Sequence, residues 1–172
     1  ESCDYKIEST IVRHVKGKKK ECSVEDILEA EKNEYNLFRR DVFKTEWLHN
    51  KPQKTDEMLF AMSIGRHLGL PCRLIDVTAS LETAIWFAVM NPKFHNVDGE
   101  IILIYLGKND VLETNQSPFN ATKLSYAHEP FMTDSLCDLP LGEQRRFVQN
   151  GHFIWVDNNS LLNEEQVIKD SV

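Results

Sequence analysis

GRHLGLPCRLIDVTASLETAIWFA, residues 65 to 88, sets His67, Arg73, Asp76 and Thr78 into a run that is otherwise core material. Leu68, Leu70, Leu74, Ile75, Val77 and Leu81 supply the apolar matter, and Gly69 and Pro71 punctuate it. A segment built only for burial has no use for three ionisable groups, because buried charges survive only when paired or hydrogen-bonded. A conflict of this kind between hydrophobic pattern and polarity marks a candidate site. It does not name a reaction.

Local structure follows from the same punctuation. Thr55 or Asp56 caps a helix whose apolar face is Met58, Leu59, Met62 and Leu68. Gly69 supplies a left-handed position past its end and Pro71 forbids continuation. Cys72 to Val77 is then extended, with positions 73 and 76 on opposite sides of the strand. Thr78 or Ser80 starts another helix through Ala84, Ile85, Phe87, Ala88 and Val89, which Asn91-Pro92 ends.

Upstream, residues 5 to 15 mix β-branched and polar types and suit a strand or a short helix equally. Ser23, with Asp26 at the third position, caps a segment from 24 to about 48 that reads as one long amphipathic helix or two consecutive ones. Its apolar face is Val24, Ile27, Leu28, Tyr35, Phe38, Val42 and Phe43, and Pro52 closes it. Downstream, Glu100 to Leu106 is the clearest strand, its unbroken apolar run suggesting burial on both faces. Residues 107 to 140 are loop-rich. A short strand, His152 to Asp157, and a helix over about 161 to 170 complete the reading. The expected fold is one mixed α+β domain, residues 1 to 172, with several helices around a small sheet.

A chain of 172 residues with 41% hydrophobic content can bury a sizeable core without metals or disulfides. Its four cysteines, Cys3, Cys22, Cys72 and Cys137, lie far apart and read as free thiols in a reducing cytoplasm. No apolar run approaches a membrane span. A net charge of −7 disfavours a protein that coats nucleic acid, although Lys16 to Lys20 is a local basic run. The six histidines show no metal-ligand spacing, and neither familiar phosphate loop is present, so no metal is expected. A Cys72–His67–Asp76 nucleophilic triad is possible by spacing alone, since five residues separate His67 from Cys72 across a turn. Late in the chain, Arg145, Arg146 and Gln149 either serve a solvated surface or present a guanidinium and an amide to a ligand.

The central run resembles the FRG domain, a bacterial family in which this stretch is close to A-Q-H-x-G-L-P-T-R-L-L-D-W-T and is followed by a segment ending A-L-x-F-A. His67, Gly69, Leu70, Pro71, Arg73, Leu74, Asp76, Thr78, Ala84, Phe87 and Ala88 match. Arg66, Cys72 and Val77 stand where Gln, Thr and Trp are usual. A nucleophile should not depend on such a departure, which weighs against the Cys72 triad. RRFVQNGHF, residues 145 to 153, resembles the family's late R-x-x-x-Q-x-G-x-F element, and LFRRDVF, residues 37 to 43, its Phe-Arg-Arg helix. The aromatic-Arg-Gly motif that gives the family its name is absent. Tyr5 to Arg13 resembles the segment that normally comes directly after that motif, so the motif is expected upstream of Glu1.

At one further remove the layout is similar to that of ADP-ribosyltransferases. That resemblance implies NAD as a substrate, with Thr78, Gln149 and Asp76 in catalytic roles and His67, Arg73 and Arg145 binding the ligand. Gln149 is an amide where that chemistry wants a carboxylate, and an amide cannot supply negative charge to an oxocarbenium-like centre. Glu143 is the nearest carboxylate upstream of it. Two classes therefore stand: an intracellular enzyme or effector of toxin or phage-defence type, and a non-catalytic module that binds a nucleotide or a partner protein through the same cleft. Both require His67, Arg73, Asp76, Thr78 and Gln149 to converge on one concave site.

Overall fold

The computed structural model describes residues 7–19, 21–50, 56–90, 98–105, 125–127 and 151–164. They form α1 (Thr10–Lys18), α2 (Val24–Asp41), a 3-10 turn (Thr45–Asn50), α3 (Glu57–His67), β1 (Leu74–Thr78), α4 (Leu81–Val89), β2 (Ser125–Ala127) and β3 (Gly151–Trp155). The architecture is of the expected mixed α+β class.

Within the stretch read as strand or short helix, Thr10 onward is helix. α1 buries Ile11, Val12 and Val15 on one face. Its first turn is held to the segment before β1 by the Thr10 hydroxyl, which donates to the Cys72 carbonyl at 3.0 Å and accepts from the Cys72 N–H at 3.1 Å. The lysines of its last turn, and Lys19 just past it, find local partners. Lys16 pairs with Glu8, Lys19 with Asp26, and Lys18 with His14, each at 2.6 Å.

α2 starts at the expected capping box: the Asp26 N–H donates to the Ser23 hydroxyl at 3.2 Å, and the Ser23 N–H donates to the Asp26 carboxylate at 3.0 Å. The helix ends at Asp41, short of residue 48. Phe43 is the reason. Its N–H returns to the Phe38 carbonyl at 2.9 Å, and its ring turns inward to meet Trp47 edge-on at 5.4 Å.

α3 is capped by Asp56, whose carboxylate accepts from the N–H groups of Met58 and Leu59 at 2.9 and 3.1 Å. It ends in a Schellman turn: the Leu70 N–H reaches the Gly65 carbonyl at 2.8 Å, and Gly69 takes φ +92°. Leu68, expected on the buried face, sits past the last turn and is exposed. Gly69→Ala meets no steric neighbour, so its cost is conformational only. It is expected to lower stability by about 1–2 kcal/mol, measured by urea unfolding.

The sheet has the order β1-β3-β2, with both pairs antiparallel. β1 and β3 register Leu74 with Trp155, Asp76 with Phe153 and Thr78 with Gly151. Cross-strand partners share a face, so this face carries Leu74, Phe153 and Trp155 into a core built with Phe38, Phe43, Phe60 and Met62. The other face turns Ile75 toward a second cluster of Ile11, Val12, Ile27, Val156 and Leu161. Asp76 and Thr78 are thus the polar end of the α3-facing side.

Two expectations about strands are corrected. Residues 100 to 105 belong to no helix or strand, and two-sided burial is replaced by alternation: Leu103 and Tyr105 are 72% and 84% exposed. Gly99, just before them, lies so close to α4 that a Cβ there would sit 2.7 Å from the Ala88 carbonyl oxygen. β2 lies inside the stretch read as loop-rich. The expected helix over 161 to 170 reaches the described residues only at Glu164.

Candidate functional site

The polar end of β1 opens into a cavity of about 490 Å³. β1 supplies Asp76, Val77 and Thr78, β3 supplies Gly151, His152 and Phe153, α3 supplies His67, and α4 supplies Thr83, Ala84 and Phe87. Three local features explain this convergence. The Schellman turn brings the chain back from α3 so that His67, its last residue, faces the start of β3, with its ring 5.9 Å from that of Phe153. The Thr78 hydroxyl accepts from the Ser80 N–H at 3.1 Å, and the Ser80 hydroxyl accepts from the Thr83 N–H at 3.2 Å, which fixes how α4 leaves the strand. The antiparallel register then sets Gly151, which has no side chain to fill the space, opposite Thr78.

Asp76 is half exposed, and its Oδ2 accepts from the Arg66 Nη2 at 2.7 Å. Arg66 is the residue that replaces the usual Gln of the resembled motif, so the motif's matching positions do not point to it. Thr83 and His152 were also missed. His152 reaches the cavity through the β1–β3 pairing, and Thr83 through the capped turn that starts α4.

Of the five residues expected to converge, His67, Asp76 and Thr78 line this cavity. Arg73 does not join them. It is fully buried, donating from its backbone N–H and from Nε to the Glu31 carboxylate at 2.9 and 2.8 Å. Nη2 also donates to Glu31, Nη1 donates to Asn158 Oδ1 at 2.6 Å, and the guanidinium lies 4.8 Å from the Trp155 ring centroid. Its place is that of a clamp between α2, β1 and the turn after β3. Gln149, Arg145 and Glu143 lie outside the described residues.

Cys72 is fully buried, and burial pushes its thiol up to about 12. A thiolate is the nucleophile in any cysteine mechanism, so the triad reading fails on this ground. Cys22 and Cys72 are free thiols. Among the described residues no three His, Cys, Asp or Glu side chains gather as a metal site would need, and no helix is long and apolar enough to cross a membrane.

The described residues form a mixed α+β fold with a cavity at one sheet end, walled in part by His67, Phe87 and Phe153. The FRG domain family model matches residues 1–96, more than half of the chain, and the chain belongs to that family. The match takes in α1 to α4 and β1, and stops short of β3. No curated protein and no solved structure matches the chain.

Proposed function

We propose that the cavity binds a nucleotide, with NAD the first candidate, and that the chain is an ADP-ribosyltransferase-like enzyme or effector of toxin or phage-defence type that works inside the cell. One observation carries this reading. Asp76 and Thr78, two apart on β1, bring a carboxylate and a hydroxyl to the same cavity as the rings of His67, Phe87 and Phe153. The volume of about 490 Å³ lies within the range of small-molecule sites and suits a heteroaromatic ring with its sugar.

In this reading Asp76 supplies the negative charge that Gln149 cannot. The glycosidic C–N bond breaks, its electron pair leaves with nicotinamide, and the carboxylate stabilises the positive ribosyl carbon. A nucleophilic acceptor then bonds to that carbon and loses its proton to a base, the role we assign to His67. Thr78 orients the ribose through its hydroxyl.

The second reading, a binding module, draws on α4. Leu81, Ile85, Trp86, Phe87 and Val89 are all exposed on it, and exposed apolar side chains in this number suit a protein partner. One experiment separates the two. In the full-length protein NAD should raise the melting temperature, by the mass-action stabilisation that any native-state ligand confers. Nicotinamide release should accompany it and fall on the order of 100-fold in Asp76→Asn. A melting shift without release favours the binding module, and neither shift nor release removes the NAD reading.

A further inference from the structure

We propose that α4 is the docking surface for a second copy of this chain, the two helices crossing at a two-fold axis near Ile85. The proposal names the partner for the α4 surface of the second reading, rests on that surface alone, and does not depend on what the cavity binds. It starts from a mismatch between composition and burial. Glu82 and Thr83 are the only polar residues in LETAIWFAV, and a helix so apolar is ordinarily buried all round. Here none of its residues is buried.

The exposed side chains are ordered. Leu81, Ile85 and Val89 are 58%, 45% and 61% exposed and stand one turn apart along one side of the helix. Thr83 and Phe87, which line the cavity, fall on roughly the opposite side at about 100° per residue, so a partner on the Leu81–Ile85–Val89 ridge sits away from the cavity walls. Trp86 and, just past the helix, Met90 flank the ridge and are also exposed. Half-exposed side chains of this size leave about 100 Å² each, so these five offer about 500 Å² on one copy and about 1,000 Å² across a pair, which is where specific interfaces begin.

The pattern favours a second copy over a different protein. Ile85 is the midpoint of Leu81–Val89, so the ridge is apolar in the same places read in either direction. A two-fold axis there sets Ile85 against its equivalent and Leu81 against Val89 of the other copy, with rows at i±4 interdigitating as in the commonest helix packing. The same operation carries the two copies of Glu82, the only charged residue of the helix, to opposite ends of the pair, so like charges do not meet. A net charge of −7 makes two copies repel in general, and a face almost without charge is where they can approach. Aromatic and Met side chains with little charge are also the composition of a homodimer interface.

Sedimentation equilibrium of the full-length protein should show a monomer–dimer equilibrium with Kd on the order of 10 μM, the weak range that so small an area supports. Added salt should hold or tighten the dimer, by screening the repulsion between two acidic bodies. Ile85→Glu should weaken it on the order of 100-fold, because the axis places the new charges face to face. Leu37→Glu, at an equally exposed site on α2, should not. Ile85→Lys should be monomeric alone, and mixing it with Ile85→Glu should restore a dimer with one of each. Should either variant fail to fold, as melting curves would show, Leu81→Lys mixed with Val89→Glu carries the same contrast across the axis. A monomer at every concentration overturns the proposal and leaves α4 to a different protein. A dimer that Ile85→Glu leaves intact, or that salt dissociates, uses another surface and overturns it equally.

Discussion

Arg73→Met should destabilise the protein by about 3–5 kcal/mol, because it strands the fully buried Glu31 carboxylate without its partner. The double variant Arg73→Met with Glu31→Leu should recover most of that loss, since replacing a buried ion pair by apolar groups of similar size is often neutral. Urea unfolding of the single and double variants measures both. A single-variant loss below about 1 kcal/mol would place the pair with surface ion pairs and remove its role as a clamp. The polar type that stands out most in the central run thus answers to architecture: it fastens α2 to the chain on either side of the sheet.

Stability should also fall as pH rises through the neutral range. Glu164 is buried, and its carboxylate accepts from the Ser9 N–H and, at 2.7 Å, from the Ser9 hydroxyl. Burial raises its pKa from 4.5 to about 7, with Glu8 adding to the rise and Ser9 and Lys16 opposing it. The folded state therefore holds this proton more tightly than the unfolded chain does. The stabilisation is fully present below about pH 4.5 and is lost as pH passes through about 7. Its size is roughly 3 kcal/mol. Glu164→Gln keeps an oxygen acceptor and cannot ionise, so its unfolding free energy should be flat over that interval where the parent's declines. Parallel pH profiles for the two proteins would show that Glu164 does not titrate in the folded state. Asp26, Asp41 and Glu82, each held below the usual carboxylate range by hydrogen bonds, work in the opposite direction at more acid pH.

Local chemistry made several elements legible. Ser23 with Asp26, Asp56, and Gly69 with Pro71 each state a helix boundary through groups within a few residues, and the structure places caps and turn there. Leu103 and Tyr105 mislead because an apolar run looks the same in a two-sided strand and in an exposed segment; only tertiary context tells them apart. The site was half legible for a related reason. His67, Asp76 and Thr78 announce themselves by polarity in an apolar run. Arg73 does so equally and turns out to be buried with Glu31, 42 residues away, a pairing that no local pattern encodes. His152 needed the register of β1 against β3 before it could be placed at all.

That register bears on where a folding unit begins and ends. β1 falls inside the stretch that defines the family by sequence, but its ladder partner is β3, more than 70 residues later. Phe153 and Trp155 complete the core under α3, and Asn158 completes the donors of Arg73. A piece of chain cut at the end of the matched region would keep the cavity's Asp76 and Thr78 yet present β1 as a bare strand edge over an open apolar face, the configuration that recruits other chains. During synthesis the same hazard lasts until β3 emerges from the ribosome, because contacts so distant along the chain form late. The stretch that carries the family match and the stretch that completes the β1 ladder are therefore different objects in this protein, and the first ends before the second is complete.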